Sequence, residues 1–436
     1  MLPRISIPFL GVLLLWGGLS NPKAHQEAGP VGQPPAAAAP PATLRAGQRN
    51  GLRPARRQDS PFAAQLDQIW RTVNEHFYAR DFNGVDWQRV GEVYRDRLPQ
   101  AQTKAEFETL ANTMLGELHA SHTGYYDEND MEFYMLPAVM AGDLRGHQVE
   151  HIGVMGRREG EGYGVTAVIN GSPAEKAGIR SGDLLLTADG QPFTSAGSFR
   201  GKSGMPVRVT LRRAGAPDLL TVTVTPVRQN ILSAFLEATR QSARIVDVGG
   251  RRLGYVHLWT MAHPAFRSAL DQIVTGQLHA TDGLILDLRD GYGGSPFGYE
   301  DVFLRPDISW EETTHRGPQE IEHLGYNKPM VVLINSGTRS AKEFLSYQLK
   351  NAHRAILVGT NTAGAFLGAQ TFEIGRDGVL ELAVAGLRVD GRRLEGVGVA
   401  PDLAVAADAT YTDHDRQMAR AEQVLIGELG DRMTHR

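Results

Sequence analysis

Ser340 stands where a strand is expected to turn into a helix, in the stretch "PMVVLINSGTRSAKEFLSYQ". A serine hydroxyl at such a sheet edge can act as a nucleophile toward a carbonyl carbon. Free N–H groups of the first helical turn, including that of Ala341, can then stabilise a developing oxyanion. The alternative is that Ser340 only caps the helix, because serine is a preferred N-cap residue. Ser336 and Ser346 occupy less suitable positions.

A glycine-rich loop follows a second apolar strand, in "LILDLRDGYGG", which contains Gly291, Gly293 and Gly294. Without side chains, these residues let the backbone approach a ligand closely. The N–H group of Gly293 or Gly294 is therefore a candidate second donor to an oxyanion, although the loop can equally be only a tight turn. The spacing lacks the G-x-G-x-x-G pattern of dinucleotide sites, and no cofactor is predicted.

Two further positions carry groups of possible catalytic use. Ser121 and His122, in "LHASHTGYY", either mark the end of a helix or supply half of a catalytic site. Glu395, in "RRLEGVGVAPD", precedes a glycine-rich turn. Taken by itself, a lone glutamate there is expected to be an ordinary solvated surface charge.

Two other patterns do not predict chemistry. "HQVEH", from His147 to His151, fits the H-x-x-E-H zinc pattern, which requires both histidines on one helix face. The flanking Gly146 and "IGVMG" favour loop and strand, so no metal is predicted. Lys342 lies two residues after Ser340, and residues two apart do not share a helix face. We therefore expect a solvated lysine and not a Ser-Lys dyad.

The N-terminal elements that would position Ser121 and His122 are helical. Apolar residues recur every three or four positions across residues 59–125, which predicts three amphipathic helices in a small helical domain. The third starts at Thr103, where "TKAE" is a capping box. His122 then lies just past the last helical turn, and residues 126–149 form a connector.

Residues 150–229 read as a β-rich domain. In "GYGVTAVINGSPAEKAGIRSGDLLLTADGQPF", Ser172 caps a short helix, Gly178 ends it, and Asp189 with Gly190 forms a hairpin turn. This order of elements resembles a PDZ domain of the bacterial type. Such domains bind an extended peptide, often a C-terminus, as an added strand. The alternative is a small β-rich domain that binds nothing.

Beyond residue 230 the pattern changes to buried strands alternating with helices. This alternation over residues 230–410 predicts an α/β layered core with a largely parallel sheet, and residues 411–436 form a C-terminal helix.

Composition limits the partners and the compartment. The 436 residues carry 45 basic and 49 acidic side chains and no basic run, so nucleic acid is not an expected partner. The chain has no cysteine, which excludes disulfides. Residues 1–20 resemble a signal peptide ending near Gly18-Leu19-Ser20, and residues 21–58 a disordered Pro/Ala-rich spacer. Export to the periplasm or outside the cell is expected, with membrane attachment only if the signal segment is uncleaved.

Together, "SHTGY", "GLILDLRDGYGG", "SGTRSAKEF" and "EGVGVAPD" resemble the serine peptidases that include the C-terminal processing (tail-specific) proteases and the tricorn protease core. The resemblance covers about Pro61 to Leu425. It implies a crotonase-like α/β catalytic core with an N-terminal helical domain and an inserted β-rich PDZ domain. It also implies that Ser340, in the S-A-x-E turn, is the nucleophile.

The resemblance distinguishes two branches. Processing proteases use a lysine base in the loop after the next strand, and the matching position here is Ala365. The tricorn-like branch instead uses a Ser-His pair and a glutamate near "GVxPD". By that resemblance His122 is the general base for Ser340, and Ser121 with Glu395 holds the imidazole ring and stabilises the imidazolium.

These inferences predict an exported serine endopeptidase that hydrolyses unfolded or C-terminally recognised polypeptides without metal or cofactor. Two alternatives remain open at this point. One is a catalytically silent protein that binds a peptide or an apolar ligand through its PDZ domain and cleft. The other is a Ser-Lys peptidase whose lysine the sequence does not identify.

Overall fold

The computed structural model describes residues 60–305, 308–315, 317–323, 325–406 and 415–434. The predicted signal peptide and spacer lie outside the described residues. Within those ranges, no helix is both long enough and apolar enough to cross a membrane.

The N-terminal region contains the three predicted helices. Helix α3 begins at the predicted capping box, where Thr103 Oγ1 accepts a hydrogen bond from Glu106 N (3.2 Å) and Thr103 N donates to Glu106 Oε2 (2.9 Å). The elements are α1 Ala63–His76, α2 Trp87–Arg97, α3 Lys104–Gly116, β1 Gly124–Asp127 and α4 Met131–Ala141. The predicted connector, residues 126–149, contains the end of strand β1 and helix α4.

The next region is a β-sheet with one short helix. Ser172 Oγ accepts from Glu175 N (3.2 Å), which is the predicted cap. The elements are β2 Val149–His151, β3 Val154–Glu159, β4 Gly162–Val168, α5 Pro173–Lys176, β5 Leu184–Ala188, β6 Gln191–Pro192, β7 Val207–Arg212, β8 Leu220–Val224 and β9 Val227–Gln229. The main sheet has the order β3-β4-β5-β7-β8, so β3 is an edge strand.

The remaining elements build the core. They are α6 Ile231–Ser242, β10 Arg244–Val248, β11 Arg251–His257, α7 Pro264–Gln272, β12 Gly283–Asp287, α8 Asp301–Leu304, β13 Ile308–Thr314, β14 Gly317–His323, β15 Met330–Ile334, α9 Ala341–Asn351, β16 Ile356–Gly359, β17 Leu367–Ile374, β18 Gly378–Gly386, β19 Leu403–Ala404 and α10 Arg416–Thr434. The sheet order is β10-β11-β12-β15-β16-β19, parallel except for the β10–β11 pair. The predicted α/β class, with a helical N-terminal region and a β-rich domain, is confirmed.

A β-hairpin joins the N-terminal region to the core. Strands β17 and β18 leave the core, and β18 pairs antiparallel with β1. Leu380 and Leu382 from this hairpin share an apolar cluster with Leu66 and Phe107 of the helical region. The hairpin therefore holds the segment that carries Ser121 and His122 against the core.

Candidate active site

Ser340 occupies a strained turn between β15 and α9. Its backbone angles are φ 57° and ψ −125°, a conformation that costs a non-glycine residue of order 1–3 kcal/mol. The turn is held because Ser340 N donates to Ala365 O (3.0 Å) and to Glu343 Oε2 (3.0 Å). Hydrogen bonds to the loop that contains Ala365 and to Glu343 of α9 therefore keep Ser340 in this strained conformation.

Ser340 is the N-cap residue of α9. Glu343 N donates to the Ser340 carbonyl oxygen (2.9 Å), and Ser340 N donates to the Glu343 carboxylate, as in a capping box. The expected capping position is therefore present. It places the Ser340 hydroxyl at the start of the helix, where it can also act as a nucleophile.

The glycine-rich loop continues β12 and lies directly beside Ser340. A Cβ atom on Gly293 would come within 2.4 Å of Ser340 Cβ and 3.1 Å of Ala341 N. No real Cβ atom tolerates the first distance, so only glycine fits at this position. The loop therefore brings its backbone into contact with the turn at Ser340.

Gly294 directs its N–H group toward the same turn. Gly293 O accepts from Met261 N (2.8 Å) and from Thr260 Oγ1 (2.8 Å), on the side of β11. Because a trans peptide places C=O and N–H on opposite sides, the Gly294 N–H points away from β11, toward β15 and Ser340. Among the described residues, the N–H groups of Gly293, Gly294 and Ala341 have no acceptor.

Ser121, His122 and Glu395 form a hydrogen-bonded chain. Ser121 Oγ lies 2.8 Å from His122 Nδ1 and donates to Glu395 Oε2 (2.8 Å). A hydroxyl has one proton to give, so the ring must donate from Nδ1–H to Ser121 Oγ. That tautomer leaves Nε2 of His122 as the free acceptor.

Glu395 is buried and not a solvated surface charge. Besides the Ser121 hydroxyl, its carboxylate accepts from Ser121 N (2.9 Å) and Phe366 N (2.7 Å). The motif around Glu395 predicted a solvated surface charge, and that prediction was wrong. The motif does not show that Ser121 and the loop at Phe366 cover the carboxylate. Three donors now hold the carboxylate in one orientation.

His122 is 8% exposed, and its backbone is also left-handed (φ 52°). Burial, with the positive charge of Arg339, lowers the pKa of His122 to about 3. The ring is therefore neutral at neutral pH and able to accept a proton. In the described chain no hydrogen bond joins His122 to Ser340, as is common for catalytic pairs before substrate binds.

Ala365 is the residue at which the sequence resemblance placed the lysine base of the processing proteases. Its carbonyl oxygen accepts from Ser340 N, so the position is adjacent to Ser340, yet it carries only a methyl group. Phe366, the next residue, donates to Glu395. The loop therefore joins the Ser340 turn to Glu395 without supplying a base.

Glu343 is a fully buried charge that sequence reasoning did not single out. Its carboxylate accepts from Thr362 Oγ1 (2.6 Å), Gly364 N (2.8 Å) and Ala365 N (2.9 Å), and burial raises its pKa. The S-A-x-E spacing, read as a capping box, is the signal that could have revealed it. Glu343 fixes the 362–365 loop beside Ser340.

Lys342 is also fully buried, so the prediction of a solvated lysine was wrong. Its Nζ donates to Asp290 O (2.6 Å) beneath the glycine-rich loop. Helix periodicity correctly separates this side chain from the Ser340 hydroxyl. It does not reveal that the loop after β12 covers this face of the helix.

The zinc pattern does not form a metal site. His147 lies before β2 and pairs with Asp143 (3.1 Å), whereas His151 lies on β2 itself. The two histidines therefore do not share a helix face. Across the described ranges, no group of three or more His, Cys, Asp or Glu side chains is arranged to hold a metal ion.

A cavity of about 1510 Å³ opens beside the turn that carries Ser340. Its lining includes Gly156 and Arg158 of the edge strand β3 and Glu108 of α3, and Arg158 Nε lies 3.3 Å from Glu108 Oε2. Tyr292 and Arg339, the residue before Ser340, also line the cavity. The cavity is large enough to hold an extended peptide segment.

Three family models match this chain. Residues 252–405 match peptidase family S41, residues 61–116 match the tricorn protease C1 domain, and residues 164–213 match a PDZ domain.

Curated proteins similar to the chain carry related names. A chloroplastic C-terminal processing peptidase of Tetradesmus obliquus is 26% identical over 79% of this chain and 78% of its own length. A carboxyl-terminal-processing protease of Synechocystis sp. is 27% identical over 78% of this chain and 80% of its own. Tricorn protease homolog 1 of Streptomyces coelicolor is 25% identical over 78% of this chain, which matches 32% of that longer protein. The chain therefore carries a peptidase family S41 domain, preceded by tricorn C1 and PDZ domains, and is a serine-type peptidase.

Proposed function

We propose that the protein is an endopeptidase in which Ser340 is the nucleophile and His122 is its general base. Ser340 Oγ attacks the scissile carbonyl carbon while its proton passes to Nε2 of His122. The N–H groups of Ala341 and of Gly293 or Gly294 stabilise the oxyanion. The tetrahedral intermediate collapses when His122 returns the proton to the leaving amine.

Deacylation repeats these steps with water. His122 takes a proton from the water molecule that attacks the acyl-enzyme, and it then protonates Ser340 Oγ as the peptide acid leaves. Glu395 stabilises the transient imidazolium through Ser121, whose hydroxyl lies between the carboxylate and the ring. The carboxylate thus keeps the ring in the tautomer that the reaction requires.

One observation carries this proposal. The Ser121 hydroxyl bridges His122 Nδ1 and Glu395, and Glu395 is linked through Phe366 and Ala365 to the strained backbone of Ser340. The alternative with a lysine base finds less support, since Ala365 occupies the lysine position and Lys342 donates to backbone carbonyls of the neighbouring loop.

We further infer that substrates are polypeptides that add a strand to β3. Among the described strands β3 pairs only with β4, and Gly156 and Arg158 of β3 line the same cavity as Arg339. The relatives named for carboxyl-terminal processing agree with entry of a free C-terminus at the PDZ domain. Unfolded chains can supply such extended segments.

Export is part of the proposed function and rests on residues 1–20 alone. The charged Arg4, the short apolar run and the small residues before position 21 are typical of a cleavable signal. Expression of the full chain in a bacterial host, followed by N-terminal sequencing of the exported protein, should give a new terminus close to Asn21. An intact Met1 on cytoplasmic protein would contradict export.

The enzymatic proposal is tested by hydrolysis of casein by the full chain and by its Ser340→Ala variant. We expect hydrolysis by the first and none by the second. A fluorophosphonate probe distinguishes a serine peptidase from a catalytically silent binding protein, because such probes label only an activated serine. Equal labelling of both proteins, or of neither, would contradict Ser340 as the nucleophile.

A further inference from the structure

Lys342 lies in an unusual environment for a lysine. Its side chain is 0% exposed, and Nζ donates to the carbonyl oxygens of Asp290 (2.6 Å), Arg289 (3.4 Å) and Trp259 (3.5 Å). Burying an ammonium ion is expensive unless hydrogen bonds compensate it. Every contact of its Nζ is to the glycine-rich loop or to the end of β11 beside it.

The loop is shaped closely around the ammonium group. A Cβ atom on Gly291 would lie 3.3 Å from Lys342 Nζ and 2.0 Å from Trp259 O, so the loop has no room for a side chain here. Both Asp290 and Gly291 have positive φ angles (51° and 72°). The backbone therefore turns its carbonyl oxygens toward Lys342 at a conformational cost.

Backbone hydrogen bonds extend this anchoring to the glycines beside Ser340. Trp259 O, which accepts from Lys342, also accepts from Tyr292 N (2.9 Å). The next residue is Gly293, whose carbonyl oxygen accepts from Met261 N. Lys342 therefore contacts the loop at Asp290 and Gly291, two to four residues before Gly293 and Gly294.

We propose that Lys342 is a positioning residue for oxyanion stabilisation, with a second, electrostatic effect. Its hydrogen bonds hold the loop so that the N–H group of Gly293 or Gly294 faces the developing oxyanion, and its positive charge lies behind that loop. The inference rests on the proposed function, since it assigns a role in the same reaction. Lys342 does not touch substrate and is therefore distinct from the proposed base.

The surrounding charges define when the ammonium group is charged. Asp287 and Asp290 face it and favour the charged form, while His257 and Arg289 are the other ionisable groups nearby. Burial outweighs both carboxylates and lowers the pKa of Lys342 to about 7. The electrostatic effect is therefore present below pH 7 and is lost as the pH rises above it.

The first test compares Lys342→Met with Lys350→Met in the full chain. Lys350 lies on the same helix but is half-buried and pairs with Asp402 (2.9 Å). We expect kcat of Lys342→Met to fall about 10- to 100-fold with KM unchanged, since the oxyanion donors are displaced but not removed. Lys350→Met should keep the kcat of the unmodified protein.

A peptide aldehyde inhibitor gives a second readout. Its carbonyl carbon bonds to Ser340 Oγ, and its oxygen then occupies the oxyanion position. Lys342→Met should weaken this inhibitor by the same factor as kcat, and the decline of kcat above about pH 7 should disappear from its pH profile. Lys342→Gln, which retains a donor but no charge, should lose less activity than Lys342→Met.

The outcomes separate this inference from the proposed function. An unmodified protein that neither hydrolyses casein nor reacts with the fluorophosphonate would refute the proposed function itself. An active protein whose Lys342→Met variant keeps kcat and aldehyde affinity would overturn only the role of Lys342. The role of Lys342 would also be overturned if Lys342→Met unfolds and Lys342→Gln keeps full activity and an unaltered pH profile. Lys342 would then have only a structural role.

Discussion

His122 and His151 are both buried histidines of low basicity, yet they differ in what surrounds the ring. They are 8% and 1% exposed, and burial lowers their pKa values to about 3 and about 4. His122 lies in the segment between helix α3 and strand β1. His151 lines a separate cavity of about 150 Å³ between the loop before α5 and helix α6.

The two rings differ in their hydrogen bonds. Nδ1 of His122 bonds to Ser121, and Glu395 holds that serine. Neither ring nitrogen of His151 has a hydrogen-bond partner among the described residues. Burial and a lowered pKa therefore do not identify a catalytic base. The group that orients the ring and fixes its tautomer distinguishes the two histidines.

The largest effect is expected from His122→Ala. Loss of the base should reduce kcat by about 10⁴-fold or more, as in other serine hydrolases. Casein hydrolysis and fluorophosphonate labelling would measure the loss, and circular dichroism would verify folding. His151→Ala is the matched control for loss of a buried histidine. Comparable losses of kcat in the two variants would remove the distinction between the rings.

A smaller effect is expected from Glu395→Gln. The amide can donate to Ser121 Oγ, so the Ser121 proton would turn toward Nδ1 of His122 and favour the tautomer protonated on Nε2. We expect kcat to fall about 10²- to 10³-fold with little change in KM. Glu373→Gln, an exposed position on β17, is the control. Unchanged kcat in Glu395→Gln would show that the carboxylate does not control the ring.

The smallest effect on catalysis, within about twofold, is expected from His151→Leu, which should instead change stability. Because the folded-state pKa of His151 is lowered to about 4, the unfolded chain binds a proton below pH 6.5 that the folded ring does not bind. The unmodified protein should therefore lose stability as the pH falls from 6.5 to 4.

The leucine variant lacks this loss, so its advantage in the free energy of unfolding should grow by about 2 kcal/mol between pH 6.5 and pH 5. Urea denaturation at both pH values measures the difference. His147→Leu, at an exposed histidine, is the control and should show no such growth. An equal pH dependence in both variants would mean that His151 is solvated in the folded protein.

Local sequence patterns predicted much of the fold. The capping box at Thr103, the cap at Ser172 and the strand-to-helix turn at Ser340 depend on residues within a few positions of one another. The alternation of buried strands with helices predicted the parallel core sheet. The same patterns pointed to Ser340 and to the glycines beside it.

Other features required the folded chain. The Ser121–Glu395 hydrogen bond joins residues 274 positions apart, and the β17–β18 hairpin pairs with β1. Lys342 and Glu343 were the least predictable, since exposed and buried charges look the same in a sequence. The sequence by itself determined the local turns, caps and periodicities, because contacts within a few residues stabilise them. Only the tertiary structure decided which distant loops cover each charge and orient each ring, because burial and hydrogen bonding there depend on segments that meet only after folding.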